Sequence, residues 1–139
     1  MDIELIWRGE FANAEVNALH AAAFGTRVYS EEEWDWVSLV AAHSLGWVVA
    51  RDAAGLVGFA NVVSDGSVHA WVQDVMVDER VGRRGVGRAI VAETARGARA
   101  AGCEILHVDF DEHLVAFYIG ACGFTATHAG LLDLTSLDG

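Results

Sequence analysis

Val75-Met76-Val77-Asp78-Glu79-Arg80-Val81-Gly82-Arg83-Arg84-Gly85-Val86-Gly87-Arg88 is the stretch that decides the fold of this chain. It opens as an apolar strand, turns through charged residues and reaches a glycine-rich run. Beyond it, an Ala-rich helix with Val91, Ala95, Ala98 and Ala101 on one face runs on and stops at Gly102, a plausible C′ residue. A strand, a glycine turn and a helix N-terminus together predict an anion cradle. The first N–H groups of a helix have no partner within it, and the helix dipole adds partial positive charge there. Gly85 and Gly87 lack a Cβ, so an anion can approach the backbone closely. Arg83, Arg84 and Arg88 surround the same turn with fixed charge.

On the N-terminal side, alternation over residues 2–7 predicts a first strand. Residues 14–24 follow as a helix, with Val16, Leu19, Ala22 and Ala23 on one side. Ser30-Glu31-Glu32-Glu33 has the form of a capping box, in which Ser30 caps and Glu33 reaches back. The helix it would start carries Trp36, Leu39, Val40 and His43 and ends near Gly46. Residues 47–51 and 56–63 read as strands joined by an Asp52-Ala53-Ala54-Gly55 hairpin turn. Asp65-Gly66 marks a second hairpin turn, leading into a strand over 68–77. On the C-terminal side, a strand over 104–110 precedes a helix over 112–122 that Asp111 is placed to cap. That helix ends at Gly123, and 124–134 reads as a last strand. The order β-α-α-β-β-β-α-β-α-β predicts a mixed α/β sheet protein, with residues 1–139 as one domain.

The chain has 139 residues, is 53% apolar and carries a net charge of −11. Such acidity argues against nucleic acid as a partner, since that binding rests on cationic contacts to phosphate. It fits a cationic partner, and equally plain solubility. There is no lysine, and six of the nine arginines fall between Arg80 and Arg99. This basic island suggests a local anionic ligand; a solvated helix face is the alternative. No apolar run reaches the roughly 20 residues that a membrane helix needs. Met1-Asp2-Ile3-Glu4 lacks a secretory pattern, and two cysteines, Cys103 and Cys122, make no framework of bridges. A cytoplasmic location is expected. His107, Asp109 and His113 lack a placed fourth ligand, so no metal is expected.

Val75-Met76-Val77, then Arg83-Arg84-Gly85-Val86-Gly87-Arg88 and the Ala-rich helix, resemble the acetyl-CoA motif of the GNAT superfamily of N-acetyltransferases. Ala116-Phe117-Tyr118, followed by Cys122-Gly123-Phe124, resembles that family's second signature, a tyrosine on a helix before a Gly-Phe turn. The resemblance implies a mostly antiparallel central sheet flanked by helices, and acetyl-CoA as cosubstrate. It implies that the backbone of Val75, Met76 and Val77 pairs with the pantetheine arm, one amide polarising the thioester carbonyl. It further implies that amides of Arg83, Arg84, Gly85, Val86, Gly87 and Arg88 hold the pyrophosphate, and that Tyr118 protonates the departing thiolate. The family pattern is Q/R-x-x-G-x-G/A, and its first position here is Gly82, which keeps the amide donors. Tyr118 stands five residues before Gly123 where the family usually shows four. An extra turn residue near Gly120 would absorb the difference; otherwise the side chain turns by about 100°.

A P-loop is excluded because no Gly-Lys-Ser/Thr follows the glycines, and a Rossmann turn because Ile90 stands where its third glycine should. An attacking amine must be neutral, so a base must take its proton. Asp74 is the first candidate: strict alternation places it with Val72 and Met76, and burial would raise its pKa. A structural or substrate-binding carboxylate is its alternative. Gln73 and Trp71 fall on the other face. His107 and Asp109 stand where some relatives place a base on the next strand. Asp109, Asp111 and Glu112 would attract an ammonium group, or serve as one cap and two solvated charges. Trp34 and Trp36 either wall the acceptor site or pack the core. The expected activity is acetyl transfer to a small or peptide amine by direct attack in a ternary complex. The alternative is a non-catalytic acyl-CoA-binding module on the same fold. A homodimer is left open.

Overall fold

The computed structural model describes residues 2–82 and 84–138. Its chain divides into two compact units, residues 1–108 and 109–139. The first holds one five-stranded sheet. In chain order its elements are β1 (Glu4–Trp7), α1 (Asn13–Phe24), α2 (Trp36–His43), β2 (Gly46–Asp52), β3 (Gly55–Ser64), β4 (His69–Val77), α3 (Val86–Ala100) and β5 (Ile105–Val108). The strands lie in sequence order, antiparallel as far as β4. β5 pairs parallel to β4, after the crossover through α3.

Two apolar clusters bind helices to opposite faces of this sheet. Val16 and Leu19 of α1 and Trp36 and Val40 of α2 pack with Val49, Phe59 and Met76. Ala98 of α3 packs with Val62, Ala70 and Cys103. Full burial of a Val or Phe side chain is worth about 1.5–3 kcal/mol, so these clusters fix the layers. α3 lies unusually close to the sheet. A Cβ on Gly97 would stand 2.4 Å from the Trp7 ring, and one on Gly58 would stand 2.4 Å from Cδ1 of Ile90. Small residues at both points let the helix settle against β1 and β3.

Both hairpin turns form as their sequences predict. Asp52 Oδ1 accepts from the Ala54 amide at 2.8 Å, and Asp65 Oδ1 from the Ser67 amide at 2.8 Å. The capping box also forms, but it does not start a helix. Ser30 and Glu33 exchange hydrogen bonds at 3.1 and 3.3 Å around an isolated turn. α2 begins later, capped by Asp35, whose Oδ1 accepts from the Ser38 amide at 3.0 Å. Asn13 of α1 decides between the two caps. Its side chain accepts from the Val37 amide and donates to both Glu31 and Asp35.

The second unit departs further from expectation. β5 stops at Val108, so the strand predicted over 104–110 is shorter at both ends. Asp111 takes the cap position, yet its side chain makes no capping hydrogen bond. The predicted helix over 112–122 is instead a 3-10 turn, Glu112–Leu114, and a π-helix, Ala116–Ala121. The strand predicted over 124–134 is not formed. A strand needs a partner backbone, and this segment pairs with none among the described residues. Its Leu131 is 85% exposed.

Candidate active site

β4 is the element on which the site is built. Its register against β3 jumps between Phe59–Met76 and Asn61–Gln73. The one extra residue falls at Asp74–Val75, and the φ of 55° at Asp74 lies in the left-handed region. This bulge overturns the strict alternation expected from sequence. Ala70 packs on the α3 side while Met76 packs with α1 and α2, although both numbers are even. Asp74 is mostly buried. Desolvation raises its pKa, opposed by the charge of His20 and a hydrogen bond from Asn61. A partly desolvated carboxylate near an imidazole can hold or hand on a proton.

Just before the bulge β4 loses its neighbour. β5 pairs only along 69–72 of β4, the last pair being Val72 with Val108. Residues 73–77 of β4 therefore have no strand on that side among the described residues. The Asp78 amide donates to Val57 O on the β3 side at 2.8 Å. Backbone direction alternates along a strand, so Val77 and Val75 present their N–H and C=O groups to the open edge. Met76 points its backbone to β3 and buries its side chain. An extended ligand can add to such an edge as a strand does.

The open edge leads into the glycine turn. Asp78 caps the short 3-10 turn Glu79–Val81 by accepting from the Arg80 amide at 2.9 Å. Gly82 closes it, its amide donating to Glu79 O at 3.1 Å. Gly85 is the N-cap of α3, with φ 75° and ψ 12°, a conformation that glycine adopts without the cost a Cβ imposes. A Cβ there would meet no atom within 4 Å, so space lies in front of the turn. The first amide to return into α3 is that of Ala89, which donates to Gly85 O. The amides of Val86, Gly87 and Arg88 lie ahead of it, at the positive end of the helix dipole. Arg83 lies outside the described residues. Arg80 turns to Asp78 and Asp52, and Arg96 to Glu93, so these two belong to surface ion pairs. The cradle as described is main chain first.

On β5, His107 reaches across to His69 of β4, a residue the sequence reading passed over. Trp36 belongs to the core at 3% exposure; Trp34 stands outside it, 46% exposed, against Tyr29 and Trp36. Among the described residues no three His, Cys, Asp or Glu side chains cluster as metal ligands.

In the second unit, Tyr118 is 6% exposed within the π-helix. It stacks on Phe110 at 5.0 Å and meets Phe117 and Phe124 edge-on. Burial first, and the charge of Cys122 second, push its phenol pKa upward. A phenol so placed stays protonated at neutral pH and can donate.

The family model for the acetyltransferase (GNAT) family matches residues 10–124. Among solved structures, an acetyltransferase from Trypanosoma brucei superposes with a TM-score of 0.77 at 23% identity, covering 96% of this chain and 100% of the other. AAC(6')-Iy, solved with the bisubstrate analogue CoA-S-monomethyl-acetylneamine, gives 0.77 at 16% identity, covering 96% and 97%. Glucosamine-6-phosphate N-acetyltransferase from Arabidopsis thaliana gives 0.75 at 15%, covering 96% and 98%. No curated protein sequence shows significant similarity to the chain.

Proposed function

This chain belongs to the GNAT acetyltransferase family, and on that premise we propose that it moves an acetyl group from acetyl-CoA to an amine. One observation carries the reading: among the described residues the edge of β4 beyond Val72 has no strand partner, and the chain goes on to a left-handed Gly85 and the first amides of α3. An acyl-CoA has the matching order of groups. Its pantetheine amides would pair with the backbone of Val75 and Val77, and its pyrophosphate would meet the amides from Arg83 to Arg88. A carbonyl beside the open edge would be polarised by a main-chain N–H.

The acceptor nitrogen then attacks that carbonyl directly. Asp74 is the first candidate to take its proton, favoured by a carboxylate that burial pushes toward the neutral form. Tyr118 is proposed to protonate the leaving thiolate, supported by a phenol that burial keeps un-ionised. Cys103 is buried in the α3 cluster, which speaks against an acyl-enzyme there. The acceptor is proposed to be a small or peptide amine, cationic before it reacts, in keeping with the net charge of −11. Residues 1–139 act as one catalytic domain in this reading, in the cytoplasm.

Turnover of acetyl-CoA against a panel of amines tests it, with free thiol as the readout. Thiol release that depends on an amine is the expected result. Binding of CoA without release for any amine would replace the enzyme by a CoA-binding module, a reading that Gly82 at the first motif position favours.

A further inference from the structure

Two imidazoles meet on the face of β4 and β5 opposite α3. His69 Nδ1 lies 2.8 Å from His107 Nε2. Trp71 stacks on the His107 ring at 4.6 Å and 14°. Ala70 and Leu106, their neighbours in sequence, pack with the α3 cluster. Trp71 and His107 form the register pair just before Val72 and Val108, where pairing ends. The histidines therefore sit at the inner end of the gap between the strands, on the face that α3 leaves uncovered. All four side chains concerned here, Asp65, His69, Trp71 and His107, belong to the first unit.

Acetyl transfer from a thioester to an ammonium group releases one proton. The nitrogen loses two protons, the N–C bond forms and the C–S bond breaks. One proton ends on the CoA sulfur, and the other must go to a base. We propose that the His69–His107 pair, as the alternative to Asp74, is the proton acceptor for the attacking amine, with His107 receiving the proton and His69 passing it on. This rests on the N-acyltransferase reading above.

The chemistry follows from the contact. The inner bond uses one nitrogen of each ring, leaving His107 Nδ1 and His69 Nε2 as the outer pair. In the neutral state one outer nitrogen holds a lone pair and the other a hydrogen. When His107 Nδ1 holds the lone pair, it takes the proton from the amine. The inner proton crosses the 2.8 Å contact, and His69 Nε2 gives up its own. One proton crosses without either ring turning, and the pair returns to its starting tautomer by exchange with water before the next turnover. The His69 end faces an anion. Asp65 Oδ1 accepts from the His69 amide at 3.2 Å. Its carboxyl is held below the usual range by the Ser67 amide first, then by the amide and charge of His69. Trp71 holds the His107 ring in a near-parallel stack.

The test uses the whole chain with an amine the wild type accepts. His107→Gln should lower kcat by about 10²-fold, the usual worth of a positioned base. Its KM for acetyl-CoA and its heat protection by CoA should stay at wild-type values. His107→Ala should regain rate on addition of imidazole, a response that a packing role would not give. His69→Gln should slow turnover by about tenfold, and it reads the same route if His107→Gln fails to fold. Full turnover in His107→Gln, or no imidazole rescue in a folded His107→Ala, would overturn the histidine pair and leave the transferase reading intact. A wild type inactive towards every amine would bring down both.

Discussion

The amide of Phe124 donates to the carbonyl of Tyr118 at 3.0 Å, and the amide of Cys122 to Phe117 O at 2.8 Å. Those spans of six and five residues mark a turn one residue wider than an α-helix. We propose that the widened turn takes up the surplus residue between Tyr118 and Gly123. In this reading the sequence departs from the family spacing by one residue, and the backbone absorbs that departure locally. Deleting Gly120 should therefore let the π turn close to an α turn and keep Tyr118 buried. We expect amine turnover within about tenfold of wild type, since the two turns would present the same side chain. Loss of a folded protein, or of all turnover, would show that the wide turn is required.

Tyr118→Phe removes a hydroxyl and little volume. The variant should lose about 10²-fold in kcat while CoA binding stays nearly unchanged. Because burial raises the phenol pKa, any alkaline limb that Tyr118 causes should lie above 10, its ordinary value. Undiminished turnover in this variant would assign the acid to another group or to water.

Asp74 couples chemistry to backbone strain. Asparagine tolerates a φ of 55° far better than alanine does, so Asp74→Asn should fold normally and Asp74→Ala should lose about 1–2 kcal/mol. The folded pKa is raised, so the fold binds this proton more tightly than the unfolded chain. That contribution is complete below the unfolded value of 3.8 and is lost as pH rises through the folded pKa. Relative to wild type, Asp74→Asn should gain stability as pH rises across that window. A kcat unchanged in Asp74→Asn would remove Asp74 from the proton route.

Glu15 shows the opposite sign. Both guanidinium nitrogens of Arg51 bond its carboxylate, at 2.7 and 2.8 Å, and hold its pKa at about 2. The stabilisation is present above the ordinary 4.5 and disappears as pH falls toward about 2. The pair is partly solvated, so Glu15→Gln should cost no more than about 1 kcal/mol at neutral pH. Thermal melts between pH 2 and 7 should show wild type and variant converging at the acid end. A constant gap across that range would remove Glu15 from the acid transition.

What could be read in the sequence was local. Asp52 and Asp65 make their own turns, and the strand, glycine turn and helix from 75 to 100 lie in one continuous run. What could not be read depends on distant partners. Ser30 and Asp35 are both good caps, and the choice between them goes with contacts from α1, Asn13 to Asp35 and the Val37 amide and Asn17 to Trp34 and Trp36. The bulge at Asp74 appears when β4 is laid against β3, and it moves residues from one face to the other. His69 and His107 are 38 residues apart and meet through the parallel register of β4 and β5. Residues 124–134 carry strand-forming side chains but have no partner strand among the described residues.

The most direct test of the central claim is the melting temperature of the folded protein as CoA is added. Binding to the native state alone stabilises by about 2.7 kcal/mol at a hundredfold excess over Kd, so the midpoint should climb by several degrees and keep rising with the logarithm of CoA concentration. Gly85→Glu, which sets charge and bulk in the space before the turn, should lower the starting midpoint by a few degrees, because a side chain at φ 75° costs about 1–2 kcal/mol, and should abolish the climb. A wild-type midpoint that does not move at any CoA concentration would contradict the cradle and the open edge of β4 as a CoA site.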